Sequence, residues 1–288
     1  MIFANVKRVL IIGLGLLGGS YARSLHKKGF SVDAITLEQE SIDYALQNGF
    51  IDRGSTTVDP KMLAEADLIV FALYPHVFVD WVKEYGHWIH SGTIVTDVTG
   101  IKSGIVELIQ ELLPQGVEYI AAHPMAGREV GGVQNSDDSI FSGANYLVVP
   151  TDRNTQEAIE LCCELGWILG FANVSCLSPQ KHDEMIGFLS QLTHCIAVSL
   201  MCACDDPEMV HYTGDSFRDL TRIARINDEM WSELFLANQQ TLLRQMEAYR
   251  TCFDRLYTYI KDGDREGMRD MMRLSTVRRQ HFDKKKRG

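Results

Sequence analysis

A glycine-rich turn near the start of the chain constrains its fold more than any other feature. Gly13, Gly15 and Gly18 have the spacing G-x-G-x-x-G and directly follow the apolar run Val9-Leu10-Ile11-Ile12. Where a strand turns into a helix, the first glycine permits a tight bend, the second lets a pyrophosphate approach the backbone, and the third allows helix and strand to pack closely. The motif predicts a dinucleotide-binding βα unit. The predicted cofactor-contacting residues are Gly13, Leu14, Gly15, Leu16, Leu17 and Gly18.

Short β-branched apolar runs alternate with helix-like segments from residue 7 to about residue 173, which is the pattern of βαβ units. The predicted strands are residues 8–12, 32–37, 68–73, 93–98, 118–122, 146–149 and 174–176. The predicted connecting helices are residues 17–28, 40–48, 76–90, 102–113 and 155–169. Right-handed crossovers of this length build an open, doubly wound, Rossmann-type parallel sheet with helices on both faces.

The pattern changes after Pro179, where strand signals end and apolar residues recur every three or four positions. The predicted fold class is therefore α/β, with an N-terminal doubly wound parallel-sheet domain followed by an all-α C-terminal domain. A chain of 288 residues accommodates two cores, and we place the dinucleotide-binding domain at residues 1–177 and the helical domain at 178–288. Residues 222–260 are predicted to be one unusually long helix, which could pack against another subunit.

Composition excludes several classes of protein. The net charge of −10 argues against a nucleic-acid surface, which needs a clustered basic footprint, and we interpret the basic run from Lys284 to Arg287 as a solvated tail. Seven cysteines without a C-x-x-C pair indicate reduced thiols, not a disulfide framework or zinc site. Neither an export signal nor an apolar run of about 20 residues to anchor the chain is expected. We therefore expect a cytoplasmic protein without a membrane partner.

The end of the second predicted strand bears on the choice of cofactor. An NAD site usually has an acidic residue there, about 20 positions after the glycines, to bind the ribose hydroxyls. Thr36 takes that position, and Glu38 is either its substitute or a solvated side chain. No Arg or Lys stands there to hold a 2′-phosphate, so the sequence favours NAD and leaves NADP as the alternative. Leu73, which ends the third predicted strand, is a further cofactor-contacting candidate.

His123 is the main candidate for acid/base chemistry. It stands in His123-Pro124-Met125-Ala126-Gly127, at the end of the fifth predicted strand. Open α/β sheets bind ligands at the carboxyl ends of their strands, and the proline and glycine predict an unusual turn around the histidine. The position favours proton transfer beside a nicotinamide. The alternative is a histidine whose ring is satisfied by loop carbonyls.

In the helical half, two histidines and three arginines are candidates for the site. His182 and His194 are twelve positions apart, within one register step of the same helix face, and neither has a second ligand at helical spacing, so no metal site is predicted. Three arginines, Arg218, Arg222 and Arg225, are predicted to share one helix face. Such a stripe is usually solvated, but guanidinium groups facing a crevice bind carboxylate substrates well.

Five motifs, in order along residues 9 to about 249, resemble those of the prephenate and arogenate dehydrogenases of tyrosine biosynthesis. They are residues 13–20, 97–102, 123–127, 182–183 with 190–194, and 217–224 followed by Met230-Trp231. The resemblance implies an NAD-dependent oxidative decarboxylation of prephenate to 4-hydroxyphenylpyruvate, in which hydride and CO₂ leave and the ring becomes aromatic.

The resemblance also implies roles for individual residues. Neutral His123 would hydrogen-bond the ring hydroxyl, Arg222 would hold the ring carboxylate, His194 would line the substrate pocket, and Arg218 is a further substrate-binding candidate. Relatives dimerise through their helical domains, so we expect a homodimer and assign substrate binding and dimerisation to residues 178–288. No segment matches the regulatory module that some relatives append, so any inhibition by tyrosine is expected to be competitive.

Two positions depart from the family pattern. Gly100 replaces a serine that in many members supports the catalytic histidine, and Thr99 is the candidate for that catalytic role here. Gln134 stands where relatives that use arogenate often carry an acidic residue, and an uncharged side chain favours prephenate. Two other functions remain as alternatives: a β-hydroxyacid dehydrogenase, with Lys181 as its candidate catalytic lysine, and a non-enzymatic nicotinamide sensor.

Overall fold

The computed structural model describes residues 3–128 and 130–282, so the predicted solvated tail from Lys284 to Arg287 lies outside the described residues. Two compact units divide the chain, Met1–Asn238 and Gln239–Gly288. The first contains all the strands described below.

Strands of the described residues form two sheets. They are β1 (Arg8–Ile12), β2 (Ser31–Ile35), β3 (Arg53–Ser55), β4 (Leu68–Phe71), β5 (Ile94–Asp97), β6 (Glu118–Tyr119), β7 (Ala121–Met125), β8 (Asn145–Val149) and β9 (Asn173–Cys176). The first six build a parallel sheet in the order β3-β2-β1-β4-β5-β6, the order of a doubly wound dinucleotide-binding fold. In the second sheet β7 pairs antiparallel with β8, and β8 pairs parallel with β9.

Helices pack on the parallel sheet and account for much of the described chain that follows the second sheet. In the first unit they are α1 (Leu16–Lys27), α2 (Gln39–Gln47), α3 (Pro60–Glu65), α4 (Pro75–Tyr85), α5 (Ile105–Leu112), α6 (Gln156–Leu169), α7 (Pro179–Ile186), α8 (Leu192–Cys202), α9 (Asp215–Thr221) and α10 (Asp228–Ala237). In the second unit, the described residues form α11 (Gln239–Lys261), which packs on α12 (Arg265–Gln280). The predicted fold class, a doubly wound α/β part followed by helices, is confirmed.

Strand β1 organises the core because both of its faces are buried. Val9 and Ile11 pack in one core with α1 and α6, while Leu10 and Ile12 pack in the other with α3, α4 and α5. Its last residue pairs with the last residues of β2 and β4. The carboxyl ends of these three strands are therefore level, which brings the glycine-rich turn next to the residues that follow β2 and β4.

The predicted strand over residues 118–122 is wrong as a single element. The parallel sheet ends with β6 at Tyr119, and the chain then crosses to the second sheet, where β7 begins at Ala121. His123 therefore lies in the middle of β7, opposite Leu147, and not at the carboxyl end of a strand. Pro124 is tolerated there because β7 is an edge strand, where the missing N–H breaks no ladder bond. The predicted strands 146–149 and 174–176 also belong to this second sheet.

Other boundaries differ for local reasons. The predicted helix 102–113 begins only at Ile105, because Gly104 has φ = +80°, outside the right-handed helical region. The predicted helix 76–90 ends at Tyr85 and continues as a 3-10 turn, Gly86–Trp88. The short elements β3 and α3 were not predicted.

The predicted long helix over residues 222–260 is wrong. It consists of a 3-10 turn (Arg222–Ala224), α10 and α11, and α10 begins where the Asn227 side chain accepts a hydrogen bond from the Met230 N–H at 2.9 Å. Arg218 lies in α9, Arg222 opens the 3-10 turn and Arg225 follows it, so the three arginines do not share one helix face.

The helical stretch Pro179–Cys202 is long and apolar enough to cross a membrane by length and composition alone, contrary to the expectation that no such run occurs. It comprises α7, a π-helical segment (Gly187–Gln191) and α8. The π segment also changes the helix register, so His182 and His194 do not keep the common face predicted for one regular helix. The first turns of the stretch Pro179–Cys202 carry buried His182 and Asp183, which bond to other parts of the first unit, so this end is packed within the protein.

Candidate functional site

The glycine-rich turn has the geometry that a dinucleotide requires. Gly13 has φ = +97°, and a Cβ atom there would lie 2.5 Å from the Ala72 carbonyl oxygen. A Cβ at Gly18 would lie 1.9 Å from the Gly13 carbonyl oxygen, whereas a Cβ at Gly15 would meet no atom of the described residues within 4 Å. Among the described residues, no side chain caps the N-terminus of α1 at Gly15. The turn is thus closed on its protein side and open where a pyrophosphate would meet the helix N-terminus.

The neighbouring strand ends supply the other predicted cofactor contacts. Leu73 adjoins the turn, because its Cδ2 would lie 2.8 Å from a Cβ at Gly13. After β2, the Thr36 hydroxyl donates a hydrogen bond to Glu38 Oε2 at 2.9 Å. This bond holds a carboxylate near the strand end where NAD sites have their acidic residue.

His123 begins a hydrogen-bonded chain that runs from β7 into α7. His123 Nδ1 lies 2.9 Å from His182 Nε2, and His182 Nδ1 lies 2.7 Å from Asp183 Oδ1. The carboxylate also accepts the backbone N–H groups of Lys102 at 3.1 Å and Ser103 at 2.8 Å. An ionised carboxylate can only accept hydrogen bonds, so His182 Nδ1 carries a proton and neutral His182 accepts at Nε2. His123 then donates from Nδ1, which leaves Nε2 of the neutral ring as a proton acceptor.

Electrostatics keeps both rings neutral. Burial lowers the pKa of His123 well below its ordinary value, and the nearby His182 and Lys102 lower it further. Burial also lowers the pKa of His182, although the hydrogen bond with Asp183 opposes this. Burial tends to raise the pKa of Asp183, but its bonds with His182 and Ser103 outweigh that effect, so the pKa falls below its usual value. At neutral pH the chain is therefore two neutral imidazoles ending on an anion.

A buried ion pair fixes the backbone next to His123. Fully buried Lys102 donates from Nζ to Asp97 Oδ2 and to the Ala122 carbonyl oxygen, both at 2.6 Å. Asp97 Oδ1 accepts from the Tyr119 hydroxyl at 2.9 Å and from the Ala122 N–H at 3.1 Å. Burial lowers the pKa of Lys102, and the adjacent Asp97 opposes that effect. The pair holds both backbone groups of Ala122, the residue before the histidine.

Thr99 belongs to this ion-pair cluster. Its hydroxyl bonds to Asp97 and to the Ile101 carbonyl oxygen at 3.1 Å, and it lies 3.1 Å from Lys102 Nζ. Within the described residues these bonds direct Thr99 toward the ion pair and not toward the His123 ring. At Gly100, by contrast, a Cβ would lie 3.9 Å from His123 Cε1, an ordinary van der Waals contact.

Helix α10 contacts His194 and also lies beside Gly100, which is close to His123. The His194 ring stacks on Trp231, with ring centroids 3.7 Å apart and planes 30° apart, and His194 Nδ1 lies 2.9 Å from the Ser190 carbonyl oxygen. One turn later, Leu234 Cδ2 would lie 3.7 Å from a Cβ at Gly100. Helix α10 therefore links the His194 side of the site to the His123 side.

The other three predicted substrate-binding residues lie in the first unit, on elements other than β7 and α7. Arg222 opens the 3-10 turn that packs on α8, the helix of His194. Arg218 is exposed and donates to Asp215 Oδ1 at 2.9 Å and to the Thr213 carbonyl oxygen at 3.0 Å. Gln134 is exposed on a 3-10 turn that packs on α1 and α2. The described contacts of Arg218 and Gln134 do not include the His123 chain.

Sequence reasoning missed four residues of the site: Asp97, Lys102, His182 and Asp183. All four lie within motifs that resemble the family, but no local pattern shows that His182 meets a ring 59 positions earlier. The available signal was chemical, since Asp97 and Lys102 flank a strand end and a buried lysine requires a partner.

A dinucleotide cradle at the carboxyl end of a 3-2-1-4-5-6 sheet, with a neutral histidine held in the adjoining sheet, defines a nicotinamide-dependent oxidoreductase. The chain belongs to the prephenate dehydrogenase family: the family's nucleotide-binding domain matches residues 21–168, and its dimerization domain matches residues 178–274.

Individual relatives agree with this assignment. The chain is 31% identical to the prephenate dehydrogenase of Lactococcus lactis subsp. cremoris, over 91% of this chain and 74% of the relative. It is 27% identical to the prephenate dehydrogenase of Bacillus subtilis, over 90% and 72%. Among solved structures it is similar to prephenate dehydrogenase from Aquifex aeolicus in complex with hydroxyphenyl propionate and NAD+. That structure has a TM-score of 0.88 and 26% identity over 97% of this chain and 99% of the other.

Proposed function

We propose that this protein catalyses the NAD-dependent oxidative decarboxylation of prephenate to 4-hydroxyphenylpyruvate. The observation that carries the proposal is the His123–His182–Asp183 chain, which leaves one neutral imidazole nitrogen available as a proton acceptor. The names of the relatives support the substrate class. The β-hydroxyacid alternative loses its candidate lysine, because Lys181 is exposed and pairs with Glu184 at 3.4 Å.

Bound NAD would supply the hydride acceptor, held by the glycine-rich turn and by Leu73, Thr36 and Glu38. His123 has one task, which is to handle the proton of the ring hydroxyl. As hydride leaves the carbon that bears this hydroxyl, the oxygen becomes acidic and shares its proton with His123 Nε2. Loss of the ring carboxylate as CO₂ returns an electron pair to the ring, which becomes aromatic, and the proton returns to the phenol oxygen. No net proton is consumed.

The lowered pKa of His123 suits this task because only the neutral ring accepts a proton. Its position next to Ala122, which the buried ion pair holds by both backbone groups, limits movement of the ring. We assign the ring carboxylate to Arg222, on the turn packed against α8, and a side of the substrate pocket to His194.

Cofactor and substrate preference are part of the same proposal. Glu38, anchored by Thr36, would bind the ribose hydroxyls and repel a 2′-phosphate, which favours NAD over NADP. The uncharged Gln134 offers no negative charge to pair with the ammonium group of arogenate, which favours prephenate. L-Tyrosine, which carries the hydroxyphenyl ring of the product, would compete for the substrate site.

We also propose a homodimer. The second unit exposes large apolar side chains spaced every three or four residues along α11, and such rows are typical of interaction surfaces. They are Met246, Tyr249, Phe253, Tyr257 and Ile260. The family's dimerization domain covers this helix.

One spectrophotometric assay tests the reaction and both preferences. Prephenate and arogenate are each combined with NAD and NADP, and reduced nicotinamide is followed at 340 nm. The proposal expects the highest kcat/KM for prephenate with NAD. A higher value with arogenate or with NADP would contradict the corresponding preference, and no turnover in any combination would contradict the function itself.

A further inference from the structure

His182 and Asp183 follow His123 in a hydrogen-bonded chain, and the geometry of that chain indicates their role. His182 is fully buried, and its two ring nitrogens are both engaged, Nε2 by His123 at 2.9 Å and Nδ1 by Asp183 at 2.7 Å. The three groups form one continuous chain from the reacting position to a carboxylate. Within the described part of the chain, His182 Nε2 is the acceptor in line for a proton that leaves His123 at Nδ1.

We propose that His182 is a positioning residue that takes over the positive charge generated on His123. As Nε2 of His123 receives the proton of the ring hydroxyl, the proton on His123 Nδ1 passes to His182 Nε2, and both protons return when the phenol forms. The O–H bond of the substrate and the Nδ1–H bond of His123 break, while N–H bonds form at Nε2 of each ring. No electrons are exchanged, and Asp183 remains a carboxylate. This inference rests on the proposed function.

The charges around the two rings favour placing the cation on His182. Helix α7 presents the Asp183 carboxylate directly to it, β7 presents His123, and the segment from β5 presents the Lys102–Asp97 ion pair. The positive charge of Lys102 disfavours a cation on either ring. The Asp183 carboxylate in contact with His182 opposes this effect, whereas the corresponding neighbour of His123 is a second imidazole.

The carboxylate that ends the chain is held rigidly. Asp183 accepts two backbone N–H groups from the segment that carries Lys102, and its own carbonyl oxygen accepts from the Asn238 side chain at 3.0 Å. Asn238 is fixed in turn by Gln191 at 2.8 Å. This support orients the His182 ring, so the tautomer of both imidazoles is set before substrate arrives.

The resting tautomers are tested first, on the wild-type protein without substrate. Two-bond ¹H–¹⁵N spectra of the histidine rings at pH 7 should show neutral His123 and His182, each protonated at Nδ1. The His182→Gln variant assigns the signals, and exposed His90→Gln is the matched control. An Nε2–H tautomer or a cationic ring at either position would overturn the proposal.

Proton transfer is tested by kinetics of hydride transfer in mixtures of H₂O and D₂O. In the wild type the rate should vary nonlinearly with the deuterium fraction, because two protons move together. In His182→Gln, whose amide oxygen can accept the Nδ1 hydrogen bond but not a proton, the dependence should become linear. We also expect kcat to fall by roughly tenfold or more with little change in KM. A linear dependence in the wild type, or an unchanged kcat in the variant, would overturn the relay.

The pH profile separates a relay from a purely structural role. Removing the repulsion of His182 should move the acidic limb of kcat/KM to higher pH in His182→Gln, whereas removing the anion in Asp183→Asn should move it to lower pH. Loss of activity without either shift would overturn the proposal. If the wild type turns over neither prephenate nor arogenate, the proposed function fails, while the tautomer measurement still decides the pairing.

Discussion

The glycines of this turn differ in the space that a methyl group would have. Alanine substitutions there can therefore distinguish an effect on cofactor binding from an effect on folding. A Cβ at Gly18 would collide with the Gly13 carbonyl oxygen, a backbone atom that cannot move without opening the turn. A Cβ at Gly15 would enter open space, and the backbone there has φ = −84°, which alanine adopts readily. Gly18 is therefore needed for folding, and Gly15 for the approach of a ligand.

Two alanine variants test this separation. Gly18→Ala should lower the free energy of unfolding by about 1 to 3 kcal/mol, as overpacking does, whereas Gly15→Ala should change it by less than about 0.5 kcal/mol. Gly15→Ala should instead raise the Kd for NAD by about tenfold or more, equivalent to about 1.4 kcal/mol. Urea unfolding and a fluorescence titration with NAD measure the two effects. Equal NAD affinity in Gly15→Ala and the wild type would contradict the cofactor site.

For strands and helices, features that depend on neighbouring residues can be predicted from the sequence, whereas the pairing of strands cannot. The glycine-rich turn is recognisable because its geometry depends on three residues within one turn of chain. The change of sheet at Ile120 is not, since the apolar run continues across it and only hydrogen-bond partners distinguish β6 from β7. Pro124 carried a usable signal, because a proline inside a strand indicates an edge.

The helical half shows the same limit. Periodicity correctly predicted helices after Pro179, but it could not show the π segment that breaks the register between His182 and His194. Asn227, which begins α10 with a side-chain cap, is a recognisable start signal within the predicted long helix. The ion pair of Lys102 with Asp97 required tertiary structure, since burial, not spacing, gives it meaning.

For the whole molecule, the neutral histidines link stability to pH. Burial lowers the pKa of both His123 and His182, so between the folded values and the unfolded value of about 6.5 the unfolded chain binds more protons. The free energy of unfolding should therefore fall as pH drops below about 6.5, by up to about 1.4 kcal/mol per pH unit for each histidine.

Urea unfolding of the unliganded protein between pH 7 and pH 5 measures this slope. His182→Gln should show a shallower slope than the wild type, because one of the two groups is gone and His123 loses a repelling neighbour. His90→Gln, a change at an exposed position, should keep the wild-type slope. A His182→Gln slope equal to that of the wild type would contradict the assignment of buried neutral histidines.

The organisation of the chain is the other property of the whole molecule. Its compact units divide after Asn238, whereas the two family domains match residues 21–168 and 178–274. The boundary at residue 177 stays a prediction. Residues of the helical domain of the family, His182 and Asp183, lie in the same compact unit as the dinucleotide cradle, which is consistent with a site that uses both sequence halves.

Neutral His123 is expected to carry the proton of the oxidative decarboxylation. The most direct measurement is the pH dependence of kcat for wild type and His123→Asn, with saturating prephenate and NAD. We predict a wild-type kcat whose acidic limb lies below pH 6.5, and a variant kcat lower by roughly 100-fold or more, without that limb and with a modest change in KM. A variant with unchanged kcat, or one that keeps the wild-type acidic limb, would contradict the claim.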